Sequence, residues 1–288
     1  MIQLPARKNV PSTSIYTKLY VKSKLGERDI LLMVPGGPGN DHTTYDSSFN
    51  SIAKALFSDV DIILFDPRGC GSSKRSAVHY CTLEHYIDDI ESIRKHFNIP
   101  QDKFILFGQS YGSIAAFGYA IKYHQQLKKL ILIGGAASGD FFQQAQENLL
   151  KRGTSAQQKL SEKIWTGTFN GSAAEVSEFY EIMGSLYSYT FKPGMSADVA
   201  LTYNVDVLNL GFSQFLKTFN YRDHLFQVSC QTLILWGKED WICDIQQAEI
   251  IHKGIRNSEL IIFERCSHLV WIDQWEKFLN ETTTFLRK

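Results

Sequence analysis

The chain has 288 residues, and its 30 basic and 30 acidic side chains leave no formal net charge. A neutral chain has no overall field to attract nucleic acid or an anionic membrane, and no local block of lysine and arginine stands out. A hydrophobic content of 44% can fill a sizeable core, which suits one large α/β domain with an insertion or two small domains. We therefore expect a globular protein without a nucleic-acid partner.

The five cysteines form no CxxC pair and no regular framework. An odd, scattered set favours reduced thiols over disulfides. No segment approaches the roughly 20 apolar residues of a membrane span, and the first residues contain no apolar run of signal-peptide length. These features predict a cytoplasmic protein with no membrane span.

Strands and helices alternate along most of the chain. Residues 14–22 alternate β formers with polar side chains, which predicts a half-exposed antiparallel strand. Helical spacing from Thr82 to Phe97 predicts an amphipathic helix that Thr82 opens, and helices are also expected near 111–124, 245–255 and 275–287. Continuous apolar runs predict strands buried on both faces, at residues 30–34, 61–65, 104–107, 130–133, 232–237 and 260–263. The alternation predicts a parallel sheet with right-handed crossovers.

The sequence Gly-Gln-Ser-Tyr-Gly at 108–112 directly follows one of these apolar runs and precedes a run of small and apolar residues. Gly-x-Ser-x-Gly between a strand and a helix predicts a sharp turn that strains Ser110 and raises its hydroxyl above the sheet. Gly108 and Gly112 are expected because a Cβ there would collide with a neighbouring strand or helix. The motif alone is weak evidence, since Gly/Ser turns also occur without catalysis.

Two glycine-rich loops follow other predicted strands. Pro-Gly-Gly-Pro-Gly at 35–39 forbids helix and strand, and its bare backbone suits an oxyanion hole, with Gly37 as the candidate donor. In the second loop, at 66–73, we expect Asp66 and Arg68 to brace the neighbouring loop by hydrogen bonds and an ion pair.

The pattern changes between Gly139 and about Asp223, where no convincing buried strand occurs. Helical stretches at 141–152, 156–165 and 173–187 fill an interval too long for a loop. We therefore predict a helical cap at residues 139–223, inserted in a core domain made of residues 1–138 and 224–288. Many aromatic side chains of this interval would give the cap an apolar ceiling over a site. They are Trp165, Phe169, Phe179, Tyr180, Tyr187, Tyr189, Phe191 and Tyr203.

Three residues of complementary chemistry follow predicted strands: Ser110, Asp240 and His268. The carboxyl ends of parallel strands meet at one edge of the sheet, and Ser, Asp, His is the chain order associated with a nucleophilic serine in a strand–turn–helix motif of this kind. A serine hydroxyl needs an adjacent base, and a carboxylate holds an imidazole in that role. The rival carboxylates are weaker candidates, because Asp223 precedes its strand and Asp244 begins the next helix.

The predicted oxyanion donors are the backbone N–H groups of Gly37 and Tyr111. No His, Cys and Asp cluster has the spacing of metal ligands. The glycine loops lack the Lys-Ser/Thr of a P-loop and the GxGxxG of a dinucleotide site. We therefore expect neither a metal nor a cofactor.

These motifs resemble those of the α/β-hydrolase superfamily and, within it, the proline iminopeptidase (prolyl aminopeptidase) family. Residues 35–39 compare with that family's His-Gly-Gly-Pro-Gly, with Pro35 in place of the histidine. Residues 66–73 compare with Asp-Gln-Arg-Gly-x-Gly-x-Ser, 108–113 with Gly-x-Ser-Trp-Gly-Gly/Ser, and 266–268 with the usual approach to the base. The resemblance implies a mostly parallel twisted sheet flanked by helices, with a helical cap. It also implies acyl-enzyme chemistry that releases an N-terminal residue from a small-molecule or short-peptide substrate.

The chain departs from that family where the substrate's amine is bound. The family holds the ammonium with glutamates in the cap and just after the catalytic aspartate. Gln214 and Trp241 take these positions here and are the predicted substrate-binding residues. A neutral amide cannot supply the charge that a buried ammonium needs. The cap glutamates Glu175, Glu178 and Glu181 are candidates to supply it instead.

Three hypotheses remain from the sequence. The first is an iminopeptidase-like aminopeptidase. The second is the same machinery acting on a neutral ester, lactone or amide, with Trp241 and the cap aromatics shaping an apolar pocket. The third is a ligand receptor on a hydrolase fold that does little turnover. Carboxylates within reach of Ser110 would favour the first hypothesis, and their absence the second.

Overall fold

The computed structural model describes residues 1–47, 51–192, 194 and 203–288 of the chain. Its strands are short, and almost every residue of the central strands is buried. They are β1 (Ile2–Leu4), β2 (Thr13–Ile15), β3 (Thr17–Tyr20), β4 (Ile30–Val34), β5 (Asp61–Phe65), β6 (Phe104–Gln109), β7 (Lys129–Ile133), β8 (Gln231–Gly237) and β9 (Ser258–Phe263).

Helices connect and cover these strands. They are α1 (Ile52–Leu56), α2 (Leu83–His96), α3 (Tyr111–Lys122), α4 (Phe141–Arg152), α5 (Ser155–Trp165), α6 (Ala173–Tyr187), α7 (Val205–Ser213), α8 (Ile245–Gly254), α9 (Val270–Asp273) and α10 (Trp275–Arg287). The predicted amphipathic helix is α2, and the Thr82 side chain accepts a hydrogen bond from His85 N at its start, as an N-cap does.

One seven-stranded sheet organises the molecule, in the order β3-β5-β4-β6-β7-β8-β9. β3 pairs antiparallel with β5, and the other neighbouring strands pair in parallel. The predicted parallel sheet is confirmed. β6 lies at its centre, so the residues that follow it reach the middle of the sheet's C-terminal edge.

Alternate residues of each central strand enter two separate cores. In β4, Ile30, Leu32 and Val34 pack into the core that also contains residues of α2 and α3. Leu31 and Met33 point to the other face and pack with residues of α1 and α10. Burial on both faces explains why these strands are continuous apolar runs rather than alternating ones.

The strand predicted at residues 14–22 is divided in the structure. β2 pairs with β1 in a separate two-stranded ribbon, while β3 joins the main sheet. Between them, Tyr16 N donates to Ser73 Oγ at 2.9 Å, so this residue bonds to the loop after β5 instead of continuing a ladder. The sequence pattern missed β1 because three residues carry too little periodicity.

Helices α4 to α7 occupy the interval between β7 and β8, where the cap is predicted. The described part of this interval contains no strand, and Ser138 forms one isolated bridge with Asn220. Residues 193 and 195–202 of the predicted cap lie outside the described residues. The division into core and cap domains stays a prediction. Within the described residues, no helix combines the length and the hydropathy needed to cross a membrane.

Candidate active site

The turn between β6 and α3 holds Ser110 in a strained conformation, with φ 56° and ψ −124°. A residue with a side chain adopts a positive φ only where its surroundings enforce it. The backbone on either side of Ser110 is closely packed: a Cβ on Gly108 would lie 2.3 Å from Gly112 O, and a Cβ on Gly112 would lie 2.0 Å from Val34 O. Ser110 N also donates to Ile133 O at 2.8 Å, which ties the turn to β7.

Asp240 follows β8, His268 follows β9, and the two side chains meet. His268 Nδ1 lies 2.7 Å from Asp240 Oδ2, and the side chains are 3% and 1% exposed. Asp240 Oδ1 accepts from the N–H groups of Ile242 and Cys243, each at 3.0 Å, so its carboxylate is fixed from both sides. A carboxylate on Nδ1 favours the tautomer with a proton there, which leaves Nε2 as a proton acceptor.

The loop that carries His268 is anchored to α6. Ser267 Oγ donates to Leu186 O at 2.5 Å, and Leu269 N donates to Tyr187 O at 3.1 Å. The ring of Tyr187 packs edge-on against the imidazole, with 5.6 Å between the ring centroids. From the sequence, Tyr187 is recognisable only as one of the cap aromatics. No local motif marks its contact with a loop about 80 residues away.

Ser110, His268 and Gly37 line a single cavity of about 260 Å³. Its other described walls include parts of α5, α6, α7 and α9, the segment that follows the glycine loop at residues 40–44, and the loops after β8 and β9. All of the predicted cap aromatics line it except Tyr189, which is 51% exposed. The volume is slightly below the usual range of about 300–1,000 Å³ for ligand pockets, so the cavity suits a small substrate.

The glycine loop after β4 lies against the Ser110 turn. A Cβ on Gly36 would be 2.9 Å from Gln109 O, and Gly37 has φ +104°, a conformation that favours glycine. Where the resembling family has a first-loop histidine, two hydroxyls bind this loop instead: Tyr45 Oη donates to Val34 O at 2.6 Å and Tyr86 Oη to Pro35 O at 3.1 Å.

Tyr111 is the first residue of α3, next to Ser110. The first N–H groups of a helix have no partner within the helix and carry its positive dipole end. The Tyr111 ring stacks on Tyr86, with centroids 5.4 Å apart, and Tyr86 binds the Gly37 loop as described above. The Tyr86 side chain therefore contacts both of the segments that carry the predicted N–H donors, the Gly37 loop and the start of α3.

A sequence model of the α/β-hydrolase fold matches residues 29–274. The chain belongs to the α/β-hydrolase family. It is therefore a hydrolase by family.

Curated relatives resemble this α/β hydrolase over most of its length. Proline iminopeptidase PfmaB of Pestalotiopsis fici is 29% identical, over 91% of this chain and 94% of the relative. The proline iminopeptidase of Thermoplasma volcanium is 30% identical, over 95% of this chain and 94% of the relative.

Solved structures share the fold at lower identity. An esterase from Exiguobacterium antarcticum superposes with a TM-score of 0.72 at 22% identity, covering 96% of each chain. A proline iminopeptidase from Mycobacterium smegmatis gives a TM-score of 0.71 at 16% identity, covering 96% of this chain and 95% of its own. At these identities the likeness concerns the fold alone.

Among the described residues, no Asp, Glu, Lys or Arg side chain lines the hydrolase's cavity. Trp241 lines it and is 1% exposed. Gln214 does not line it, because this residue is the exposed C-cap of α7, whereas Leu208 and Phe212 of α7 do line it. The predicted contact of Gln214 with substrate is therefore not supported, because α7 ends before Gln214 and turns it to solvent.

The cap glutamates also lie away from the cavity. Val176, Phe179 and Tyr180 are three of the α6 residues that line it, and their spacing defines one face of the helix. Glu175 lies in the first turn of α6 and forms an ion pair with Lys163 at 2.9 Å. Glu178 and Glu181 are exposed and do not line the cavity.

Asp66 and Arg68 were both predicted to brace the neighbouring loop by hydrogen bonds and an ion pair, but in the structure they bind different elements. Arg68 forms two hydrogen bonds with Asp89 of α2, at 2.8 and 2.9 Å, and both side chains are 2% exposed. Asp66 accepts from Ser72 N at 2.7 Å and pairs with His42 Nδ1 at 2.6 Å. Asp66 and Arg68 thus brace separate parts of the scaffold.

Asp41, His42 and Asp66 form a cluster that the sequence spacing did not reveal, because Asp66 is distant along the chain. Their potential ligand atoms lie within 4.8 Å of one another. The carboxylates already accept hydrogen bonds, Asp66 Oδ1 from His42 N and Asp41 Oδ1 from Thr43 N, both at 2.9 Å. These bonds explain the cluster as a brace for the segment after the Gly37 loop.

The His42–Asp66 pair predicts a pH-dependent contribution to stability. The hydrogen bond to Asp66 raises the pKa of His42 above its usual value of 6.5. A raised pKa in the folded state stabilises the protein fully below the unfolded pKa, and this contribution is lost as pH rises through the folded pKa. We expect His42→Gln to lower the free energy of unfolding most below about pH 6, with the loss shrinking above the raised pKa. Urea denaturation across pH measures this difference, and a difference that grows with pH would contradict it.

Proposed function

We propose that this α/β hydrolase is a serine hydrolase that cleaves a small, uncharged acyl substrate through an acyl-enzyme intermediate. Ser110 is the nucleophile, His268 the general base and acid, and Asp240 the residue that orients His268. The observation that carries the proposal is the buried 2.7 Å Asp240–His268 pair on the same cavity as the strained Ser110. We further propose that residues 139–223 act as the cap of this cavity.

The first half of the reaction acylates the enzyme. Ser110 Oγ attacks the substrate's carbonyl carbon while its proton passes to His268 Nε2. The N–H groups of Gly37 and Tyr111 stabilise the oxyanion of the tetrahedral intermediate. As the intermediate collapses, the bond to the leaving group breaks and His268 gives its proton to that group.

The second half restores the free enzyme. His268 takes a proton from water, and the resulting oxygen nucleophile attacks the acyl carbon of the Ser110 ester. The second tetrahedral intermediate uses the same two N–H donors. Its collapse breaks the ester, releases the acid, and returns the proton from His268 to Ser110 Oγ.

The electrostatics of the walls support an uncharged substrate. Moving an ammonium group from water into an apolar site is costly unless a carboxylate or several acceptors receive it. The described walls are mainly aromatic and aliphatic, their other polar side chains, such as Asn40, Thr43 and Ser188, are uncharged apart from the titratable His268, and they carry no acidic side chain. Asp240 is already occupied by His268 and two backbone donors.

Substitution at the proposed triad tests the mechanism. We expect Ser110→Ala to lower kcat/KM on p-nitrophenyl butanoate by about 10³-fold or more, because the nucleophile is removed. Asp240→Asn is expected to lower kcat by about 10³- to 10⁴-fold, because an amide donor would favour the wrong His268 tautomer. Circular dichroism and thermal unfolding establish that both variants fold. Near-wild-type hydrolysis by folded Ser110→Ala would overturn the proposal.

The names of the relatives favour a second candidate, an aminopeptidase that releases an N-terminal proline. These two relatives match this chain over more than 90% of its length. This candidate requires an ammonium site, which the described walls do not offer as a carboxylate. The two candidates share the triad and differ only in the charge of the acyl group.

A pair of isosteric substrates separates the candidates. In cyclopentanecarboxylic acid p-nitroanilide, a CH₂ replaces the ring NH₂⁺ of proline p-nitroanilide, while the leaving group and the ring size stay the same. We expect kcat/KM to be at least about tenfold higher for the neutral compound, because no carboxylate compensates the buried charge. Steady-state kinetics with the same enzyme preparation measures the ratio. A preference for the proline compound would establish the aminopeptidase instead.

A further inference from the structure

Asp273, the last residue of α9, accepts five hydrogen bonds through its carboxylate. Oδ1 accepts from Ser188 Oγ at 2.6 Å and from both the N–H and the hydroxyl of Thr190, each at 2.9 Å. Oδ2 accepts from Tyr189 N at 2.9 Å and from Ser267 N at 2.8 Å. Hydrogen bonds to an ionised acceptor are about twice as strong as those between neutral groups. The carboxylate therefore holds together the segments that supply these donors.

Most of the donors belong to the predicted cap. Residues 188–190 directly follow α6 and supply four of the five bonds. Ser188 is buried and lines the cavity, so this segment forms part of the wall around the proposed substrate. The position of this wall thus depends on its bonds to Asp273.

The remaining donor belongs to the loop that carries His268. Ser267, whose N–H bonds to Asp273, precedes His268 in the chain, and Leu269, whose N–H bonds to Tyr187 O, follows it. Both chain neighbours of His268 are therefore fixed. The ring of Tyr187 also packs against the imidazole, and Tyr187 adjoins residues 188–190. Asp273 thus binds both the loop that carries the imidazole and the segment beside which the imidazole packs.

The His268 loop contains a strained residue that such attachments stabilise. Arg265 has a φ of 53°, a conformation that costs free energy for a residue with a side chain and persists only where the surroundings enforce it. Its guanidinium lies 5.4 Å from the centre of the Tyr189 ring, within the range of a cation–π contact. The loop and residues 188–190 therefore meet at this contact as well as at Asp273.

We propose that Asp273 is a positioning residue for the reaction, which keeps His268 in place beside Ser110 by joining its loop to residues 188–190. The inference rests on the proposed hydrolase function and adds a residue outside the triad. Asp273 acts through the backbone, since it bonds to Ser267 N, whereas the imidazole bonds to Asp240. A displacement of about 1 Å in a reacting group can cost about 10²-fold in rate.

Two variants weaken the bonds of Asp273 in different ways. In Asp273→Asn the amide nitrogen faces donors in either orientation, three at the Oδ1 position or two at the Oδ2 position. At least two of the five bonds are then lost. The double variant Ser188→Ala/Thr190→Val is milder, because it removes two hydroxyl donors and keeps the carboxylate.

Glu175→Gln is the matched control. This carboxylate also accepts two backbone N–H groups, from Asn170 at 2.7 Å and Gly171 at 2.9 Å. Its other side-chain partner is Lys163, so its bonds to the described residues stay within the predicted cap. The control therefore loosens the cap without releasing the His268 loop.

The measured quantity is the ratio of kcat/KM for ethyl butanoate to that for p-nitrophenyl butanoate. Both esters carry the same acyl group, but ethoxide needs a proton from His268 in order to leave, whereas p-nitrophenolate is stable enough to leave without one. The ratio thus reports how well His268 acts as a general acid. It does not depend on the concentration of active enzyme, so a variant that only folds less completely keeps the wild-type ratio.

We expect Asp273→Asn to lower this ratio about tenfold and the double variant about threefold, because His268 is then held less well beside the leaving group. Glu175→Gln is expected to stay within about twofold of wild type. Circular dichroism and thermal unfolding establish which variants fold.

A wild-type ratio in folded Asp273→Asn would overturn the inference, and if that variant does not fold, a wild-type ratio in the double variant overturns it. An equal decrease in Glu175→Gln would also overturn it, since any loosening of the cap would then suffice. Hydrolysis of both esters that survives Ser110→Ala would instead refute the proposed function.

Discussion

The close approach of backbone at the end of β6 is the constraint on which the site depends. Gly108 and Gly112 leave no room for a Cβ, and this packing holds Ser110 at a positive φ. The same turn begins α3, so the strained residue and the unpaired N–H groups of a helix start come together. The parallel sheet then brings the loops after β8 and β9 to the same edge. Strain at one residue is stabilised by the packing of the whole central sheet.

Charge is distributed so that it supports the scaffold and stays off the described cavity walls. The Arg68–Asp89 pair is almost fully buried, and Asp66 pairs with His42 behind the glycine loop. Around the substrate, the described side chains are neutral apart from the titratable His268. A low-dielectric cavity strengthens the few interactions within it, such as the Asp240–His268 bond and the proposed oxyanion contacts. It also makes an uncompensated charge on the substrate costly.

Much of this arrangement was predictable from the sequence because it is local. Strands such as β4 and β5 are apolar runs with clear ends, and the order of Ser110, Asp240 and His268 predicted their shared edge. What the sequence could not give depends on contacts between distant segments. The division between β2 and β3 follows from a bond at Tyr16, and the exposure of Gln214 follows from where α7 ends. Within the described residues the buried N–H of Trp241 has no acceptor, which is a property of packing, since the same residue type is satisfied at Trp236.

We propose that His268 activates Ser110. Covalent trapping with a fluorophosphonate tests it most directly, because the reagent reacts with an activated serine and peptide mapping identifies that residue. We predict a single adduct on Ser110, formed at least about 10²-fold more slowly in folded His268→Ala. An adduct on another residue, or labelling of Ser110 at the same rate without the imidazole, would contradict it.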